Sequence, residues 1–147
     1  MVSNLKDGEV TNELPDGRYK LISVANKGSL YAGEGLHDDG DRYTWVGPKA
    51  NYKDERDVWV IEHVGSAYYV RSAKHGGPLF GEVRTDEYGD HRAWMSPNNC
   101  YDIEKQLWEI KYARNGTYKL FNVKWRGPLF CRTGYADDGD QEVCIWT

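Results

Sequence analysis

The side chains of this chain best suited to recognition recur at a fixed spacing. Trp45 and Trp94 lie 49 residues apart, five residues after Gly40 and Gly89 in the turns Gly40-Asp41 and Gly89-Asp90. Both alternate with small or apolar neighbours, in Thr44-x-Val46 and Ala93-x-Met95, so a strand that buries those neighbours turns its indole outward. A flat outward aromatic stacks on the C–H face of a sugar ring, or anchors a protein interface, while nearby carboxylates and amides bond hydroxyls. The polar residues brought near by the pattern are Asn26, Asp38 and Asp41 for Trp45, and His75, Asp86 and Asp90 for Trp94. In a third copy Cys144 takes the strand position of the tryptophans, and Trp125 takes the loop place of Asn26 and His75. The expectation is two working sites and an altered third.

Other chemistry finds less support. His37, His63, His75 and His91 are scattered, without the His-Glu-x-x-His spacing of a helical metal site. Asp38-Asp39-Gly40-Asp41 and Asp137-Asp138-Gly139-Asp140 gather carboxylates as a calcium loop does, yet lack spaced ligands and a closing glutamate. A hairpin turn, in which Asp and Gly supply the required backbone angles, accounts for both. There is no phosphate loop, nucleophile elbow or catalytic cysteine setting, so the chain reads as a non-enzyme needing no metal or cofactor. Cys100, Cys131 and Cys144 form an odd set. Cys131 and Cys144 fall on the two strands of one hairpin, which leaves a disulfide and three buried thiols both open.

The elements that hold these residues are written three times. Leu30, Leu79 and Leu129 recur 49 and then 50 residues apart, and so do Gly40, Gly89 and Gly139. Such a period marks a repeat architecture. Each copy opens with a strand of the form Tyr-x-Leu/Val (Tyr19, Leu21; Tyr68, Val70; Tyr118, Leu120) whose named residues face inward. A Leu-aromatic strand, an acidic turn and the third strand follow. Trp59-x-Ile61 and Trp108-x-Ile110 make a fourth strand in the first two copies, with both tryptophans in the core. The single domain, residues 1–147, divides into a closing segment 1–16 and repeats at 17–65, 66–115 and 116–147, the last truncated before its fourth strand. Counting back one period from Trp59 and His63 reaches Val10 and Leu14, so Glu9 to Leu14 is expected to supply the missing strand beside Trp146.

Composition sets outer bounds. A formal charge of −4 excludes a basic nucleic-acid footprint. No run of about 20 apolar residues suits a transmembrane helix. The start Met1-Val2-Ser3-Asn4-Leu5-Lys6 has no apolar signal core, which fits a cytosolic protein or a mature secreted one.

Three repeats of Tyr-x-Leu, a Leu-aromatic hairpin, a Gly-Asp turn and Trp-x-Ile resemble a β-trefoil over nearly the whole chain, and so imply an all-β fold with pseudo-threefold symmetry. Gly40-Asp41-Arg42, followed nineteen residues after Gly40 by Trp59, is similar to the trefoil domain of insect haemolymph lipoproteins of the thirty-kilodalton class. Gln106-Leu107-Trp108 is similar to the Gln-x-Trp of ricin-type lectin repeats, where repeat 1 has Asp57-Val58-Trp59. The lectin resemblance implies a stacking aromatic on the third strand, as at Trp45 and Trp94. The acid expected after the first strand is replaced by Ala25-Asn26, Lys74-His75 and Lys124-Trp125, so a galactose site of the ricin type is not implied. Fold alone does not select a function. The two readings carried forward are recognition of a glycan or glycoprotein, and capture of a protein through one loop, at residues 49–57 or 97–105, by a secreted inhibitor or salivary or haemolymph factor.

Overall fold

The structure, a computed structural model, describes residues 13–36, 40–47, 52–97, 102–132 and 140–146. The described strands are β1 (Gly17–Tyr19), β2 (Ser29–Leu36), β3 (Arg42–Gly47), β4 (Trp59–Val64), β5 (Ala67–Ser72), β6 (Leu79–Thr85), β7 (His91–Met95), β8 (Leu107–Tyr112), β9 (Tyr118–Asn122), β10 (Leu129–Cys131) and β11 (Gln141–Ile145), with one 3-10 turn at Ile103–Gln106. The strands β1, β4, β5, β8 and β9 pair in that order as one antiparallel sheet. The hairpins β2–β3, β6–β7 and β10–β11 form a second layer, in which the third strands β3, β7 and β11 also pair with one another. This is the all-β, three-repeat architecture that the spacing predicts, in the trefoil form that the resemblance implies. Among the described residues no helix is long and apolar enough to cross a membrane.

The core follows the alternation. Trp59 and Trp108 are fully buried, and their indole N–H groups donate to the carbonyls of Leu30 and Leu79, each at 2.9 Å. Trp59 and Trp108 are repeat equivalents, as are Leu30 and Leu79, so one contact is built twice. Tyr68, Val70, Ile61, Met95 and Ile145 complete the packed centre. Repeat 3 is less covered: Leu120 and Leu129 are half-buried, and Tyr118, expected inward, is exposed. Among the described residues no fourth strand lies over that side. Residues 1–12 of the expected closing segment lie outside the described residues. Of the two described residues of the expected strand, Glu13 Oε1 lies 3.3 Å from His63 Nε2, and Leu14 packs against the core with its backbone N–H and C=O both bonded to the Tyr68 hydroxyl.

Close approach at the base of each hairpin is made possible by glycine. A Cβ on Gly28, Gly77 or Gly127 would lie 2.2, 1.6 or 1.8 Å from a backbone carbonyl oxygen of the neighbouring third-strand end. The residue before each has positive φ, at Lys27, Gly76 and Arg126.

The hairpin register removes the Cys131–Cys144 disulfide. Phe130 stands opposite Cys144 and Cys131 opposite Val143, so the two thiols point to opposite faces. Cys131 packs on the core and Cys144 is wholly buried on the other face, and both are free thiols. Cys100 lies outside the described residues.

Candidate functional site

The third strands meet around the pseudo-threefold axis in a cyclic register. Arg42 stands opposite Met95, His91 opposite Ile145, and Gln141 opposite Val46. One residue further along, the pairs on the face away from the core are Tyr43 with Trp94, Arg92 with Cys144, and Glu142 with Trp45. Alternation and symmetry therefore put two positions of each repeat on this face, and five of the six, all but the wholly buried Cys144, line one cleft. A cleft of about 510 Å³ opens there, lined chiefly by Tyr43, Trp45 and Trp94 and by Arg84, Arg92 and Glu142. The two tryptophans expected to serve separate sites share one cleft.

Its aromatic part is an interlocked set. The Tyr43 ring meets Trp94 edge-on at 5.5 Å and lies 6.5 Å from Trp45. The Arg84 guanidinium sits 5.4 Å from the Trp94 ring centre. Trp94 is consequently only 6 % exposed, whereas Trp45 is half-buried. Trp94 thus keeps its predicted outward parity but lies beneath Tyr43 and Arg84 instead of standing open. Trp45 lies against Gly33, where an added Cβ would come within 3.2 Å of the indole. Charge is balanced at the rim: Arg92 pairs with Glu142, and Arg84 lies 3.4 Å from Glu82. An aromatic floor with opposed guanidinium and carboxylate groups can stack on a ring and offer donors and acceptors to its substituents.

The remaining expected site residues have other partners. Asn26 donates to Gln141 and accepts from the Gly28 N–H at 2.9 Å. Trp125 stacks on His91 at 3.8 Å and donates to the Gly81 carbonyl. His75 brings its Nε2 to 3.6 Å from Glu34, an ion-pair distance too long for a hydrogen bond. Burial holds the His75 imidazole below its usual range, and Arg42 pushes the same way. These three residues are repeat equivalents, and each reaches across a seam to the preceding repeat in the cycle. Asn26 and Trp125 thus fasten repeats together, and His75 packs beside Glu34 of the preceding repeat, rather than flanking the tryptophans of their own repeats.

The acids behave similarly. Asp86 and Asp90 hold the Arg132 guanidinium at 2.6 and 2.7 Å, and Arg132 also lies 4.6 Å from the Tyr88 ring centre. Burial alone would raise the Asp86 pKa, but the backbone N–H groups of Asp90 and Tyr88 and the Arg132 charge outweigh it and bring it below the usual value. Asp41 is buried and engaged, and Asp38 lies outside the described residues. Asp140, the repeat equivalent of Asp41 and Asp90, accepts from the Tyr31 hydroxyl. Cys144 is no reactive thiol: burial pushes its pKa up to about 11 despite the neighbouring Arg132.

Sequence reading missed Tyr43, Arg84, Arg92 and Glu142. The available signal was that positions 43, 92 and 142 are equivalents carrying three unlike polar or aromatic residues. Among the described residues no group of three or more His, Cys, Asp or Glu is placed to hold a metal.

The sequence matches no family model and no curated relative. Solved structures are similar in shape. A salivary protein of the Culex cysteine- and tryptophan-rich family superposes with a TM-score of 0.72 at 16% identity, over 92% of this chain and 98% of that one. The designed threefold-symmetric protein ThreeFoil gives 0.69 at 16% identity, over 90% and 91%. The ricin B-like lectin of Macrolepiota procera, solved with lactose, gives 0.63 at 18% identity, over 92% and 89%. At these identities the likeness establishes the β-trefoil fold.

Proposed function

We propose that the chain is a non-catalytic, lectin-like binding protein that recognises a glycan, free or on a glycoprotein, in the cleft on its pseudo-threefold axis. The observation carrying this reading is the convergence of Tyr43, Trp45 and Trp94 on a cleft edged by Arg84, Arg92 and Glu142. Three aromatic rings set at angles offer a sugar a stacking surface and a wall. The Arg92–Glu142 pair offers donors and acceptors to hydroxyls on the same side. The lactose complex of the fungal trefoil lectin supports the reading as a matter of fold only. A glycan array on the purified protein, followed by titration of its best ligand, is the test. Trp45→Ala should weaken binding strongly, and Trp45→Ala/Trp94→Ala should abolish it in a protein that still melts cooperatively. Undiminished binding by a folded double variant defeats the reading and moves weight to protein capture through a loop.

A further inference from the structure

The five-stranded sheet ends at β1 on one side and β9 on the other, and among the described residues neither outer edge has a strand partner. Between them runs an apolar groove of two adjoining cavities, about 520 and 350 Å³, sharing Leu21, Ile22, Val24, Tyr118 and Leu120. It has no aromatic or charged lining residue in common with the cleft on the axis.

The repeats say what shape the groove fits. In repeats 1 and 2 a fourth strand, β4 or β8, lays Trp59 or Trp108 into the core and covers the equivalent Leu, leaving Leu30 and Leu79 2 % and 0 % exposed. Their counterpart Leu129 is only half-buried and receives no indole among the described residues. The edge of β9 is also oriented for pairing. The Ala113 N–H bonds the Thr117 carbonyl and the Val123 N–H bonds the Leu107 carbonyl, so odd-numbered residues bond toward β8. By antiparallel alternation the backbone N–H and C=O groups of Tyr118 and Leu120 face the groove.

Register and charge define the occupant. Tyr19 stands opposite Trp59 and Tyr68 opposite Trp108, so Tyr118 would stand opposite the aromatic residue of an added strand. Lys119 would then face the residue just before that aromatic. Lys119 already lies directly opposite Lys111 in the β8–β9 pair, a like-charge arrangement. Lys111 is offset by Glu109 at 3.5 Å, while Lys119 has no ion-pair partner among the described residues. An acid in the added strand beside Lys119 relieves this. The chain's own segment 9–14 offers Val10 and Asn12 where the other repeats have Trp and Ile, a poor match to the core pocket, although its last residue, Leu14, lines the β1 end of the groove and bonds Tyr68.

We propose that the groove between β1 and β9 is a strand-addition site for an extended peptide of another protein. That peptide carries an acid, then a large aromatic opposite Tyr118, then an aliphatic residue two positions further on.

Two synthetic octapeptides copying residues 57–64 of this chain test it on the full-length protein, one with the native sequence and one with Val58→Glu. Calorimetry should show the Val58→Glu peptide binding roughly fivefold tighter than the native copy, and Lys119→Glu in the protein should reverse the order. Backbone amide exchange at Tyr118 and Leu120 should slow on binding, while residues of the axis cleft are unaffected. Binding that ignores Lys119 overturns the register and with it the stated partner. Failure of both peptides, with Tyr118 and Leu120 already slow to exchange in the free protein, overturns the proposal in favour of the chain's own N-terminal segment or a second copy. Failure with fast exchange shows an open groove that accepts no strand and overturns it equally.

Discussion

Trp59 fills the core and caps a carbonyl at once, so its loss removes two kinds of stabilisation. Trp59→Ala should cost about 3–5 kcal/mol, the range for large aromatic truncations, with the Leu30 carbonyl left without its 2.9 Å donor. Chemical denaturation measures this, and a cost below about 1 kcal/mol would mean that the site collapses around the gap. Trp59 was readable because Trp-x-Ile recurs in repeat 2 with the same parity. Arg126 was not, since nothing in its type announces a φ of 62°. Its equivalent in repeat 2 is Gly76, which adopts the same left-handed backbone, with φ of 81°, without a Cβ penalty. Arg126 is exposed, so Arg126→Gly should stabilise the protein by about 1 kcal/mol, read as a rise in the denaturation midpoint. The cysteines mark another limit of legibility. Sequence assigns Cys131 and Cys144 to paired strands, but a one-residue register difference decides that they face opposite ways.

At the scale of elements, the repeats are joined by side chains that spacing alone would assign to a ligand. Asn26, His75 and Trp125 looked like site residues because they follow the first strand in equivalent loops. They lie against Gln141, Glu34 and His91 because each such loop lies over the third-strand hairpin of a different repeat. Periodicity reports which residues are equivalent and not which repeat they touch. The β6–β7 turn shows the same economy: Asp86 accepts from the Tyr88 and Asp90 N–H groups and holds Arg132 of repeat 3. Because the folded pKa of Asp86 is depressed below 3.8, its ionised form stabilises the fold above about pH 4. That stabilisation is lost as pH falls through the depressed value. Asp86→Asn should therefore be less stable than wild type at neutral pH, and the difference should shrink as pH is lowered below about 4. Denaturant titrations at pH 7, 4 and 3, chosen to bracket that window, check this. A pH-independent difference would remove the ion pair as its cause.

Over the whole molecule, threefold architecture is combined with a cleft that is not threefold. The core repeats closely, with Trp59 and Trp108 matching and Leu30, Leu79 and Leu129 equivalent, and that regularity made the fold legible from spacing. The axis positions diverge instead: Tyr43, Arg92 and Glu142 at one place, Trp45, Trp94 and Cys144 at the other. A reading repeat by repeat assigns each tryptophan its own site, because convergence at the axis is a property of the pairing among β3, β7 and β11. The two geometries make different predictions for a glycan titration. Separate sites would bind two ligands per chain, and each Trp→Ala change would remove one site while leaving the affinity of the other intact. A shared cleft would bind one ligand per chain. Trp45→Ala should then leave the stoichiometry at one and weaken affinity by on the order of 2 kcal/mol, the scale of an aromatic anchor in a desolvated site. Trp94→Ala should act on the same site and combine non-additively with Trp45→Ala, because Tyr43 leans on both rings. A single chain would also gain nothing from a multivalent surface, since avidity needs at least two sites on one body. Calorimetric titration of wild type and both single variants decides it, and two ligands per wild-type chain, falling to one in either variant, would return the tryptophans to separate sites.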